Sequence, residues 1–196
     1  MNTTLKLALG AVALAAAHFA AAAPVNFSGS LSNSDPTYNR VLAGTPPTTL
    51  SLIGTAVRYD TYQFYVDLAG SYRMETLFAA FNDTFLTLYL GASFNAATPL
   101  VNALSANDDI GTGNLLSRIN LNLLANTNYL LVATSFNNAD RGAYNGIIAA
   151  NTGNAGNVFT GTVSMPVPAP ATLALVPLAL ATLALTRRRR PAELAA

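Results

Sequence analysis

Apolar and polar residues alternate with a period of two through the middle of this chain. Every second position is apolar in TYQFYVDL (residues 61–68) and SRINLNL (117–123), and SYRMETLF (71–78) follows the same alternation except at Thr76. Such alternation is typical of β-strands with one buried face. The side chains predicted to face the core are Tyr62, Phe64, Val66, Leu68, Tyr72, Met74, Phe78, Ile119, Leu121 and Leu123.

Further short runs complete a pattern of about nine antiparallel strands. TNYLLVAT (127–134) is apolar on both faces and suits a central strand. The other runs are TTLSLI (48–53), TFLTLYL (84–90), PLVNAL (99–104), YNGIIAA (144–150) and VFTGTVS (158–164). Gly, Asn and Asp between the runs supply turns. The pattern predicts an all-β, two-sheet sandwich over residues 48–164, preceded by an N-terminal extension over residues 23–47.

The composition argues against nucleic-acid binding and excludes sites that need cysteine. Between Ala23 and Met165 the chain has five arginines, eight acidic residues and no lysine, a net charge of −3. Nucleic-acid binding requires clustered cations, so no nucleic-acid partner is expected. The absence of Cys from all 196 residues excludes disulfides and thiolate metal sites.

The N-terminus predicts export. Lys6 precedes an apolar run over residues 7–17 and a stretch of small residues, the layout of a secretory signal peptide. Proline directly after the scissile bond is unfavourable, so signal peptidase is expected to cut between Ala22 and Ala23. Residues 1–22 then form the signal helix, and a buried N-terminal helix of the domain is the alternative. The single histidine, His18, leaves with this peptide.

The C-terminus predicts a short membrane helix. Residues 171–185 are fifteen uncharged positions, which as a helix span ~22 Å against a hydrocarbon core of ~30 Å. Pro177 interrupts this marginal span over residues 171–186. Four cations follow, which resist crossing lipid and are expected to stay in the cytoplasm with residues 191–196. They are Arg187, Arg188, Arg189 and Arg190.

Residues 165–190, including VPAPATLALVPLALATLALTRRRR, resemble the PEP-CTERM sorting signal. That family combines a Pro-Glu-Pro-like motif, a short apolar helix and an arginine cluster, and an exosortase cuts near the motif. The matching motif here is Val167, Pro168, Ala169 and Pro170, with Ala169 in place of the family's glutamate. The resemblance implies processing by an exosortase, and a permanent anchor is the alternative.

The central segment resembles a second family. YDTYQFYV, GSY, NDTFLTLYL, NDDIGTG, SRINLNLLANTNYLLVAT and GAYNG, within residues 59–149, are similar to the bacterial pre-peptidase C-terminal domain. The resemblance implies a jelly-roll-like β-sandwich that serves as an accessory module of secreted proteins. The family's turn glycine is replaced here by Asn126-Thr127-Asn128, and Asn tolerates the left-handed conformation that this turn requires.

The mature chain offers little for catalysis. It has no histidine or lysine to activate a hydroxyl, and Glu75 alternates outward as a predicted surface charge, so no enzyme is expected. One polar group has the oxygen ligands that calcium prefers. It consists of Asp83, Asn107, Asp108 and Asp109. Asn and Asp also close tight turns through their own backbone, and this is the alternative.

Together these features predict a non-enzymatic, exported protein of a Gram-negative bacterium, with the cell surface or extracellular matrix as its destination. The inner membrane would hold it as an intermediate, and exopolysaccharide is a candidate partner. The rival hypothesis is a carbohydrate- or protein-binding module with an uncleaved membrane anchor.

Overall fold

The computed structural model of the protein describes residues 23–81, 83–154 and 156–163. The predicted signal peptide up to Ala22, the sorting motif, the membrane helix and the arginine cluster lie outside these residues. In the described parts of the chain, no helix is long and apolar enough to cross a membrane.

The described residues form ten strands and no helix, which confirms the all-β prediction. The strands are β1 (Val25–Leu31), β2 (Thr37–Tyr38), β3 (Val57–Val66), β4 (Gly70–Ala79), β5 (Thr84–Leu90), β6 (Ala103–Asn107), β7 (Arg118–Leu123), β8 (Tyr129–Ser135), β9 (Gly142–Ala150) and β10 (Val158–Thr160).

The strands form two antiparallel sheets. One has the order β1-β9-β4-β7, and the other has the order β10-β3-β8-β5-β6, with β2 also paired to β3. The chain crosses repeatedly between the sheets, and β3-β8-β5-β6 opposed to β1-β9-β4-β7 is the strand order of a jelly roll.

The main core lies between the sheets and follows the predicted alternation. Phe64 and Val66 of β3, Met74 of β4 and Ile119 of β7 are buried in one cluster. Leu121 is only half-buried and packs against this cluster, because β7 is an edge strand of its sheet.

A second apolar layer covers the outer face of the six-stranded sheet. Tyr38 and Phe94 pack there against the side chains of Tyr89 and Leu130. All seven residues of β8 are therefore buried, as the run of apolar residues on both faces predicted.

This covering layer corrects two strand predictions. Residues 48–53 form no strand: Leu50 makes one isolated bridge with Val41, and Leu52 is 94% exposed. The strand predicted at residues 99–104 instead spans Ala103–Asn107, after Asn102, which has a φ of 61°. Both segments are part of loops that cover the sheet, so the spacing of their apolar residues does not indicate the buried face of a strand.

The predicted start of the sandwich at residue 48 is too late. All seven residues of β1, which lies in the supposed N-terminal extension, pair with β9. Alternation in β1 is weak because Gly29 and two serines occupy it, and the pairing partner is more than one hundred residues away.

Three side chains in β4 or just after β3 also differ from prediction in their direction or burial. A register shift between Thr76 and Phe78 turns Phe78 outward, where it is 51% exposed. Glu75 is buried rather than a surface charge, and it bonds Arg118 and lies 3.7 Å from Arg73 Nε. Leu68, also predicted to be buried, follows the end of β3 and is half exposed.

The substituted turn before β8 behaves as expected. Asn126 has a φ of 52°, and its N–H donates to the carbonyl of Val66 over 2.7 Å. Asn therefore supplies the left-handed conformation at this turn, as predicted.

Candidate functional site

Three predicted acidic residues meet at one end of the sandwich. Asp83 is in the turn between β4 and β5, and Asp108 and Asp109 follow β6. Because β5 and β6 are antiparallel, with Leu86 opposite Asn107, the start of one strand adjoins the end of the other. Carboxylate oxygens of the three residues lie within 4.8 Å of one another.

A buried hydroxyl network holds this acidic end in place. Ser117 Oγ donates to the carbonyl of Asp108 over 2.6 Å and lies 2.9 Å from Thr84 Oγ1. Asn107 Oδ1, the fourth predicted ligand atom, accepts the N–H of Arg118 over 2.8 Å. The side chain of Asn107 thus links the end of β6 to the start of β7.

A buried guanidinium that sequence reasoning missed stands beside the acids. Arg40 is 1% exposed, and its Cζ lies 4.2 Å from the ring centre of Phe85 and 4.4 Å from that of Phe136. Its Nε donates to the carbonyl of Phe136, and one terminal nitrogen donates to that of Val41. A Cβ at Gly54 would come within 2.5 Å of Arg40 Nε, so the covering loop is shaped around this side chain.

The environment raises the pKa values of two of the carboxyl groups. The pKa of Asp83 is raised to about 6, chiefly because burial disfavours the charged form, with Asp109 and Asp140 adding to the shift and Arg40 opposing it. The pKa of Asp108 is also raised to about 6, by burial and then by the charges of Asp109 and Asp83. Arg40 therefore offsets only part of the repulsion within this group.

The donor set fits a hard divalent cation. The Oδ1 atoms of Asp83 and Asp108 are buried and have no hydrogen-bond partner among the described residues, while Asp109 is exposed to solvent. Unpartnered carboxylate oxygens at this spacing match the ligands that calcium takes in proteins. Asp83, Asp108 and Asp109 are the residues that would hold the ion, and the ion would supply positive charge between them.

Calcium is expected to raise the melting temperature of the mature protein at pH 7 and much less at pH 5. An ion at one hundred times its dissociation constant stabilises a native state by about 2.7 kcal/mol, roughly 8 °C for a domain of this size. The shift is measured by differential scanning fluorimetry with calcium or chelator. Asp108→Asn is expected to remove it, whereas Asp67→Asn, at the opposite end of the sandwich, is expected to keep it.

The pH dependence follows from the raised pKa values of Asp83 and Asp108. Between pH 4 and pH 6 the folded state binds more protons than the unfolded state, so without calcium these groups favour folding at low pH and lose that contribution as pH rises through about 6. Protons and calcium compete for the same oxygens. An equal calcium shift at both pH values, or none at pH 7, would contradict the cation site.

Comparisons with known proteins find distant similarity only. No family model matches the chain, and no curated protein does. The pre-peptidase C-terminal domain of a collagenase from Bacillus anthracis is similar in structure, with 16% identity and a TM-score of 0.40, covering 63% of this chain and 87% of that one. A CBM35 from Cellvibrio japonicus Abf62 has 11% identity and a TM-score of 0.31, covering 70% and 100%.

The first of these structures is a domain of the type that the motifs in residues 59–149 resemble. At these identities and TM-scores, nothing about the ligand or partner of either protein transfers to this chain. The observed fold and site by themselves define an all-β jelly-roll sandwich with an acidic, cation-compatible end.

Proposed function

We propose that this protein is a non-enzymatic β-sandwich of the pre-peptidase C-terminal type, exported to the cell surface or extracellular matrix and released there by an exosortase. Signal peptidase removes residues 1–22, and the arginines at positions 187–190 keep the C-terminus in the cytoplasm until cleavage. Exopolysaccharide is the proposed partner outside the cell.

The observation that carries this proposal is where the chain enters and leaves the sandwich. Val25 starts β1 opposite Ile148, and Val163 bonds Asn128 just before β8. Both lie at the end opposite Asp83. Val163 lies beside the start of β8, which pairs with the end of β5. Val25 pairs near the end of β9, whose start pairs with the end of β4 next to Asp83. The acidic end and the two points where the described chain begins and stops therefore lie at opposite ends of the sandwich.

The described hydroxyl groups support a non-catalytic role. Thr76, Thr84 and Ser117 bond one another in a buried network. Tyr144 donates to Asp60 over 2.6 Å, and burial and this hydrogen bond both raise the pKa of Tyr144, which disfavours the phenolate. These hydroxyls are used to hold the fold rather than being activated as nucleophiles.

The C-terminal tail is expected to be absent from the mature protein. Mass spectrometry of surface and medium fractions from the native host should find chains that begin at Ala23 and end between Val167 and Thr172. Replacing the four arginines with Ser is expected to spoil retention and processing, because neutral residues cross the membrane at far lower cost than guanidinium groups.

Restoring the family's glutamate provides a matched control. Ala169→Glu is expected to speed cleavage, whereas Ala179→Glu, in the apolar segment, is expected to impair insertion instead. A mature pool dominated by full-length chains with all four arginines would contradict release and favour the permanent anchor.

A further inference from the structure

Among the residues that the structure describes, nothing pairs with the middle of one strand edge in the six-stranded sheet. On this side of β3, β2 pairs only with Val57 and Arg58, and β10 pairs only with residues 64–66. Residues 59–63 therefore form a gap between two short strands that occupy the same edge.

The backbone groups at the centre of this gap face outward. In antiparallel strands the N–H and C=O of a residue point to the same side, and the side alternates along the strand. The carbonyl of Gln63 accepts from Gly161 N over 2.8 Å on the open side, and Asn126 N bonds Val66 on the other side. The N–H and C=O of Thr61 are thus directed into the gap, where no strand of the described residues pairs with them.

Three clefts surround this backbone segment. Their volumes are about 490, 420 and 320 Å³, and Thr61 lines all of them. The largest lies on the outer face of the sheet between Pro36 and residues 92–94, and the other two lie between β3 and β1. The clefts therefore adjoin one another around a single exposed residue.

Aromatic rings form one wall of the largest cleft. Tyr59 and Phe94 both line it, with ring centres 5.1 Å apart in an edge-to-face arrangement, and Tyr38 packs 5.1 Å from each of them. Both lining rings are partly exposed. Rings held in this way offer a rigid apolar surface with little entropy left to lose on binding.

Polar groups with fixed positions complete the site. Asp60 Oδ2 accepts from Tyr144, whose hydroxyl lies 2.6 Å from that of Tyr62, while Asp60 Oδ1 accepts no bond from a described residue. A Cβ at Gly29 would come within 2.4 Å of Asp60 Oδ2, so only glycine allows β1 to approach. Gln63 Nε2 is held by the carbonyl of Ala92 over 2.7 Å.

Among the residues that line the three clefts, Asp60 is the only charged one. A carboxylate, an amide, hydroxyls and free backbone groups beside aromatic rings suit a ligand that has many hydroxyls and apolar ring faces. The lone negative charge disfavours an acidic ligand, because no cation is present to pair with it. A peptide strand is also disfavoured, because only alternate residues of 59–63 face the gap and the carbonyl of Gln63 already accepts from Gly161 N, so a strand there would gain few ladder bonds.

We infer that the open edge of β3 and its clefts bind a neutral polysaccharide chain, with its sugar rings on Tyr59 and Phe94 and its hydroxyls on Thr61, Gln63 and Asp60. This ligand class makes the proposed partner at the cell surface more specific. The inference rests on the proposed function, which places the protein outside the cell. Binding is measured with purified protein and release is measured in cells, so either result can fail without the other.

The test uses residues 23–196 in non-ionic detergent, with native electrophoresis in gels cast with laminarin, galactomannan, xylan or alginate. At least one of the three neutral polysaccharides is expected to retard the protein, and acidic alginate is not. Thr61→Arg is expected to weaken retardation at least tenfold, because the exposed side chain of Thr61 touches all three clefts. Asn122→Arg, at another exposed strand position outside the clefts, is expected to leave it unchanged.

Gln63→Ala gives a second variant that removes one side-chain donor without adding charge. It is expected to weaken binding severalfold and, because its exposed bond to Ala92 is also lost, to lower the melting temperature by a few degrees at most. The inference is overturned if none of the neutral polysaccharides retards the protein, or if alginate binds as strongly. It is also overturned if both Thr61→Arg and Gln63→Ala fold and bind as the wild-type protein does.

Discussion

Replacing Ile119 with Asp is expected to unfold the sandwich. Ile119 is 2% exposed in the core between the sheets, and β7 places it opposite Met74. An unpaired carboxylate at such a position costs several kcal/mol, comparable with the whole stability of a domain of this size. Residues 24–165, made without either tail, should show a cooperative β-type circular dichroism melt that this variant lacks.

The neighbouring residue supplies the control for this experiment. Asn120 is exposed, and its side-chain oxygen accepts from Asn151, a bond that Asp can keep. Asn120→Asp is therefore expected to change the free energy of unfolding by less than about 0.5 kcal/mol. Equal effects at positions 119 and 120 would contradict the direction assigned to the side chains of β7.

Removing the buried cation is expected to have the second largest effect. Arg40→Met keeps much of the apolar volume between Phe85 and Phe136 but leaves the carboxylates of Asp83 and Asp108 without a nearby positive charge. The substitution removes one partner of a buried charged group and two cation–π contacts. It is therefore expected to lower the free energy of unfolding by about 2–4 kcal/mol. Thermal melting with calcium or chelator measures this cost.

Calcium is expected to restore part of this loss, because the ion places positive charge among the same oxygens. Arg141→Met removes an exposed guanidinium that bonds only the carbonyl of Ala139, and it is expected to change the melting temperature by one or two degrees at most. Similar losses for Arg40→Met and Arg141→Met would show that Arg40 does not act on the acidic group. The same would follow if calcium stabilises the wild-type protein but the loss caused by Arg40→Met is equal with and without calcium.

The acidic site was predicted from the sequence in part. Asp83, Asp108 and Asp109 stood out because Asn and Asp clustered in turns between strands, and the structure brings their oxygens together. Arg40 gave no such signal, since it lies in a segment without alternation and contacts Phe136, ninety-six residues further along the chain. Its partners are set by how the covering loop packs, which local periodicity does not contain.

The environments of Glu75 and Thr61 also depend on residues that are distant in the chain. The alternation in β4 placed Glu75 on the polar face correctly, but burial of that carboxylate depends on Arg118 from a strand forty-three residues away. Thr61 looked like any polar strand residue, and its importance arises only because β2 and β10 both stop short of it.

By itself, the sequence determined the all-β class, most strand positions, the left-handed turn at Asn126 and the shortage of catalytic groups. These depend on side-chain alternation and on local backbone preferences, which neighbouring residues express directly. Only the tertiary structure decided that β1 belongs to the sandwich, that Arg40 is buried beside the acids and that one edge of β3 stays open. These depend on contacts between residues far apart in the chain, where packing of whole layers, rather than any local pattern, sets the free energy.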